Sequence, residues 1–390
     1  MQKARIAIVG GGLSGLYAAF LLEQKGITDY VLLEGRDALG GRIASVSGSG
    51  HPVPLTANAG NGVDRFDLGP AWFWPDYQHQ LDRLVQELGL QRFAQSETGH
   101  MKVERSPNEP PIRTRGYMSS PTSMRLVGGM GALIDALRCR LDGIRIITGQ
   151  RVWRLRDMNT CIELDSENAG GTVTTWKVGH VLLAMPPRLI EDSIEFLPAL
   201  PQALARQWRT TATWMASHAK YIAIYETPFW REQGLSGEAR SMRGPLGEIH
   251  DASMHGGSAA LSGFFGVSAR ERQSVPEDEL RSHCRAQLAR LFGPQAAKPR
   301  ADVFKDGSLD SYTATAADLD GVLHHAEAPD AGAASGPWSG RLTGIASEWS
   351  PQFPGYIAGA IEAASLGVQA LPVFGVQTEG TSAIPAPWAK

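Results

Sequence analysis

The segment Arg5–Val9 (RIAIV) runs directly into Gly10-Gly11-Gly12-Leu13-Ser14-Gly15, and no other feature restricts the chain as strongly. A short, wholly apolar run reads as a buried parallel strand. Leu16–Lys25 then carries apolar residues at helical spacing (Leu16, Ala19, Phe20) and stops at Gly26. Tyr30–Leu33 is a second apolar strand, ending at Glu34. Strand, glycine turn, helix and strand make one βαβ unit. Glycines at 10, 12 and 15 permit a tight turn, close approach of a phosphate and close helix–strand packing. The helix start presents N–H groups and a positive dipole end to a pyrophosphate, and Glu34 is placed to accept hydrogen bonds from ribose hydroxyls. Gly10, Gly12, Leu13, Ser14, Gly15 and Glu34 are therefore expected to hold an adenine dinucleotide.

The remaining composition narrows the classes. At 390 residues, 43% hydrophobic and 20% charged, the chain has material for about two globular domains. A net charge of −3 with dispersed Lys and Arg gives nothing to attract nucleic acid or an anionic membrane. No apolar run approaches the roughly 18 residues of a membrane span. Three cysteines without CxxC spacing suit neither a disulfide scaffold nor zinc, and no metal is expected. The residues before the first strand are too short for a signal peptide, so a soluble, cytoplasmic protein is expected. Periodicity predicts helices over 78–88, 131–141, 276–292 (opened by Ser274) and 355–371. Strands are expected over 144–147, 150–155, 160–164, 172–177, 181–185, 221–225 and 342–346. The polar, proline-rich stretch 97–121 reads as a loop or a mobile edge, 46–63 as an irregular excursion and 377–390 as a loose tail. His79, His100, His218, His324 and His325 have no ligand spacing and read as structural or surface residues.

A second glycine turn follows the acid: Glu34-Gly35-Arg36-Asp37-Ala38-Leu39-Gly40-Gly41-Arg42. Its arginine would complement a pyrophosphate. GGGLSGLYAAFLL, the acid and GGR together resemble the flavin-dependent amine oxidases, the group that holds monoamine and polyamine oxidases. The resemblance continues at Asp67-Leu68-Gly69-Pro70-Ala71, Gly128-Gly129-Met130, Val152, Val181–Pro187, Glu348 and Gly355-Tyr356-Ile357-Ala358-Gly359-Ala360. It spans nearly the whole chain. It implies FAD and an α/β fold: a Rossmann-like FAD-binding domain interleaved with a smaller α+β substrate-binding domain. The expected partition is 1–75, 122–210 and 307–390 for the first, and 76–121 and 211–306 for the second. It also implies cofactor contacts from Gly35, Arg36, Gly41, Arg42, Gly69, Pro70, Ala71, Trp72, Val152, Glu348, Gly355, Tyr356 and Ile357. The last helix would start under the flavin, its dipole favouring negative charge there.

The same resemblance assigns chemistry. Lys220, eight residues before Pro228-Phe229-Trp230, stands where the family's lysine holds a water against the flavin. Tyr312 and Tyr356 stand where two aromatics face each other and channel the amine. Trp72, Phe73 and Trp74 read either as core or as pocket lining. Two residues depart from the pattern. Ser311 stands where some members carry a flavin-linking cysteine, so FAD is expected to be non-covalent. Gly307 is nearest to a position where relatives often carry Trp, which leaves a cavity or a different wall. The expected activity is oxidation of an amine C–N bond to an imine, with molecular oxygen as acceptor and hydrogen peroxide released. The rival readings are an amino-acid oxidase or desaturase on the same scaffold, and a flavin-binding protein without turnover.

Overall fold

The computed structural model describes residues 1–53, 64–319 and 327–372. The expectations for 54–63, His324, His325 and the tail 377–390 lie outside the described residues. An all-parallel sheet runs in the order Ile146–Ile147, Tyr30–Leu33, Ile6–Val9, His180–Leu183, Leu342–Gly344. Every residue of its three central strands is buried, because both faces are covered. Ile6 and Ile8 face a core built with the helices Leu13–Gln24, Gly131–Arg140 and Ile357–Gln369. Ala7 and Val9 face the opposite core, shared with a second sheet. That sheet runs Gln2–Lys3, Val173–Val178, Ile162–Glu167, Arg151–Asp157, Glu195–Leu197.

A third sheet of seven strands carries its own core. Its order is Ala301–Asp306, Ala219–Tyr225, Ala259–Phe265, Leu246–Asp251, Leu235–Ser241, His100–Glu104, Ile112–Arg115. The helix Glu277–Phe292 packs Leu280, Cys284, Leu288 and Leu291 into that core, the spacing of one helical face.

Three details differ from the sequence reading. Within 97–121 the chain forms a hairpin, His100–Glu104 with Ile112–Arg115, at the sheet edge. Its residues are mostly exposed or half-buried, so alternation is absent and backbone pairing with Leu235–Ser241 holds it. Ser274 does not open the helix Glu277–Phe292; it closes the short helix Ala269–Gln273, which Ser268 and Glu271 start with a capping box. The helix His79–Glu87, from a segment expected on the substrate side, puts Leu81, Leu84 and Val85 into the core of the parallel sheet. Among the described residues no helix is long and apolar enough to cross a membrane.

Candidate active site

A cavity of about 420 Å³ opens at the carboxyl ends of the central parallel strands, lined there by Val9, Leu33 and Ala184. This is where open α/β sheets place ligands. It continues to the seven-stranded sheet, where Lys220, Phe264 and Lys305 line it.

The nucleotide end is made of backbone and charge. A Cβ on Gly15 would lie 2.0 Å from the Gly10 carbonyl oxygen, so Gly15 serves helix–strand packing and does not line the cavity. Gly12 differs: its nearest atoms to such a Cβ are 3.9 Å away, and it lines the cavity. The protein leaves room beside Gly12 for close approach of a phosphate, at the start of the helix Leu13–Gln24, whose first N–H groups lack helical partners. Buried Glu34 accepts from the backbone N–H of Gly11 at 2.6 Å and of Arg36 at 2.8 Å. The second glycine turn closes on the first through a bridge between Gly12 and Gly40. Arg42 is held by Glu348 at 2.5 and 3.0 Å, and by Ser347 Oγ at 3.1 Å. Gly35, Arg36, Gly41, Gly69, Pro70, Ala71, Val152 and Ile357 all line the cavity, with Val152 beside a β-bulge. These residues fit an adenine dinucleotide.

The other end is made of aromatic side chains. Lys220 is 4% exposed, and its ammonium donates to the carbonyls of Asp67 (3.0 Å) and Gly69 (2.6 Å). It lies 5.1 Å from the Phe264 ring centre and 5.9 Å from that of Trp72. Burial lowers its pKa to about 8; the Asp67 carboxylate opposes that shift and Arg125 adds to it. Asp67 is itself raised by burial, against Arg125, Lys220, the Met130 N–H and Ser45. Asp67-Leu68-Gly69 and Gly128-Gly129-Met130, far apart in sequence, thus meet beneath the lysine. Trp72 and Trp74 line the cavity while Phe73 between them is fully buried, so strand-like alternation divides the three between pocket and core. Trp74 meets Tyr356 edge-on with centroids 6.5 Å apart. Gly355 lies so close to Trp214 that a Cβ would sit 2.6 Å from its side chain.

Glu348 departs from its expected place, and Tyr312 and Gly307 make contacts that the sequence did not announce. Tyr312 and Tyr356 both line the cavity, and Tyr312 is in addition tied to the nucleotide motif. Its hydroxyl donates to the Gly35 carbonyl at 3.2 Å, and the Arg36 guanidinium lies 5.0 Å from its ring centre. The Asp310–Arg36 ion pair draws this segment to the nucleotide end. Glu348 does not line the cavity; it stands behind Arg42. At Gly307, of the two expected outcomes, the structure has a different wall: Gly307 lines the cavity, and a Cβ there would lie 2.8 and 3.0 Å from the carbonyl oxygens of Ala216 and His218. Sequence reasoning missed Trp214, Phe264, Asp310 and the Asp67–Arg125 pair. Only Asp67 carried a signal, through its place in the Asp67-Leu68-Gly69 segment.

A dinucleotide cradle whose cavity runs on to a buried lysine among aromatic rings suits an oxidoreductase that takes a nucleotide cofactor. Residues 111–371 match the model of the flavin containing amine oxidoreductases, and residues 8–88 that of an NAD(P)-binding Rossmann-like domain. The chain belongs to the flavin-containing amine oxidoreductase family and is an FAD-dependent oxidoreductase acting on amines. It is similar to a probable flavin-containing monoamine oxidase A of Dictyostelium discoideum, 24% identical over 465 residues, covering 92% of this chain and 95% of that one. Its fold is that of a putrescine oxidase solved with putrescine bound (TM-score 0.72, 19% identity, 94% of this chain and 98% of that one). The cyclohexylamine oxidase of Brevibacterium oxydans is also similar (TM-score 0.72, 18% identity, 94% and 98%).

Proposed function

We propose that the chain oxidises a monoamine bearing an apolar or aromatic substituent to the imine, in air, with release of hydrogen peroxide. The observation that carries this is Lys220: a buried ammonium on the wall of the cavity that the dinucleotide motif opens into, among aromatic rings. FAD, when bound, would supply the acceptor for the hydride equivalent from the carbon beside the amine nitrogen, with oxygen as the final acceptor of the electron pair. Gly12, Leu13 and Ser14 would hold its pyrophosphate, and Glu34 its ribose. Two of the three Lys220 donors are committed to carbonyls, which leaves one N–H for a water in the cavity. Trp74 and Tyr356 form the walls that admit the amine, their negative faces favouring its nitrogen. Among the described residues the lining carboxylates are Glu34 and Asp310, and both are already engaged, by backbone N–H groups and by Arg36. A second ammonium, as in a diamine, would meet Lys220 and Lys305 instead.

Ser311 lines the cavity and offers no thiol, which supports non-covalent FAD. Three free cysteines support a cytoplasmic setting. The parallel-sheet layers serve the cofactor in this reading, and the seven-stranded sheet the amine. A peroxide assay with benzylamine, cyclohexylamine and putrescine tests the proposal. Turnover of the first two above putrescine is expected. Bleaching of the flavin by none of them without oxygen would remove the amine assignment.

A further inference from the structure

The strand Ala301–Asp306 of the seven-stranded sheet leads into residues 307–313, which cross to the nucleotide motif. Gly307, Asp310, Ser311, Tyr312 and Thr313 all line the cavity, so this segment forms one of its walls. Its near end is fixed without Asp310. The Gly307 N–H donates to the His218 carbonyl at 2.9 Å, and Asp306 pairs with Arg272 at 2.8 and 2.9 Å while accepting from Ser308.

Asp310 is spent elsewhere. It accepts twice from the Arg36 Nη2, at 2.6 and 2.8 Å, across 274 residues of sequence. Arg36 is two residues beyond Glu34 and donates its backbone N–H to that carboxylate. Tyr312 adds its hydroxyl bond to the Gly35 carbonyl and its ring under the guanidinium. A Cβ on Gly35 would lie 2.4 Å from the Tyr312 ring, so the glycine after Glu34 is needed for the tyrosine to seat. Lys305, cross-strand partner of Lys220, stands 3.8 Å from Asp310. Burial raises the Asp310 carboxyl, and Arg36 more than offsets this and holds it below the usual range.

We propose that Asp310 is a cofactor-retaining residue: through Arg36, and with Tyr312 seated on Gly35, it fastens segment 307–313 across the nucleotide end of the cavity and so slows release of FAD. The proposal rests on the assignment of FAD to this cavity. Asp310 acts through Arg36 and is a positioning residue. The segment follows directly on the strand that places Lys305 beside Lys220, so cofactor retention and the amine-side sheet share one continuous piece of chain.

The test is FAD release from the purified holoenzyme, followed as the rise in flavin fluorescence after dilution, together with the melting temperature of the apoprotein. Asp310→Asn should release FAD at least about tenfold faster, since a charge-assisted pair is lost, with the apoprotein still folded and melting only modestly lower. Asp310→Glu should restore part of the slow release. Tyr312→Phe and Gly35→Ala, which remove the hydroxyl bond and the seat, should each speed release about threefold, and they decide the matter if Asp310→Asn does not fold. Release within twofold of wild type in all foldable variants overturns the proposal. Protein that carries no flavin at all overturns the cofactor assignment with it.

Discussion

The two ends of the cavity are built by different means. At the nucleotide end the work is done by glycines, main-chain N–H groups and one carboxylate, nearly all within residues 10–42. At the amine end it is done by side chains from Trp72, Trp74, Trp214, Lys220, Phe264 and Tyr356, which only the finished fold brings together. A backbone-built site tolerates no Cβ in the wrong place. A side-chain-built site tolerates change of shape and registers it as altered preference.

The sharpest way to break this contrast is within the glycines. Gly15→Ala should prevent accumulation of folded protein, since the methyl would overlap a carbonyl oxygen, a cost above about 4 kcal/mol. Gly12→Ala should fold with an unchanged apoprotein melting curve yet bind FAD roughly 30-fold more weakly, about 2 kcal/mol of overpacking against the ligand. Equal losses of stability in the two would show that Gly12 also serves the protein alone. Next, Glu34→Ala should weaken FAD binding by about 1.5–3 kcal/mol in a titration of apoprotein, with turnover of loaded enzyme changed less.

At the other end, Lys220→Met should slow reoxidation of reduced enzyme by oxygen on the order of tenfold, and reduction by amine less, in separate stopped-flow traces. In wild type that rate should fall as pH rises through about 8, where the buried ammonium loses its proton, and the variant should show no such fall. The folded chain holds this proton less tightly than an unfolded lysine at about 10.5. Raising pH from 8 towards 10.5 should therefore favour folding through this group. The smallest effect belongs to Tyr356→Leu. At 39% exposure the ring contributes at the exposed-site scale of about 0.5–1 kcal/mol, a two- to fivefold fall in kcat/KM per bound flavin.

Legibility in the sequence follows the same division. The βαβ unit could be read directly, because a phosphate cradle is local: its strand, turn, helix and acid are contiguous, and each glycine has a steric reason. Lys220 and Tyr356 came from resemblance to a family pattern rather than from any local rule. Tyr312 came from the same pattern, but its tie to the nucleotide motif could not be read, since Asp310 finds Arg36 and no spacing rule announces a pair 274 residues apart. The hairpin His100–Glu104 with Ile112–Arg115 was hidden for another reason: an edge strand held by main-chain bonds need not alternate. Trp214 and Phe264 reach the cavity from segments with no motif of their own.

The order of the parallel sheet has a consequence for how the protein is made. Ile6–Val9 pairs on one side with Tyr30–Leu33, yet the sheet is completed beyond His180–Leu183 by Leu342–Gly344. At synthesis rates of ~5–20 residues per second, the last strand leaves the ribosome roughly 15–70 s after the first. For that interval the growing sheet keeps an unpaired apolar edge, first Ile6–Val9 and then His180–Leu183, exposed to aggregation. The helix Ile357–Gln369, which covers one face of the same sheet, emerges later still. Completion of this sheet therefore comes late in synthesis, and folding yield should depend on how well the nascent edge is shielded until Leu342–Gly344 arrives.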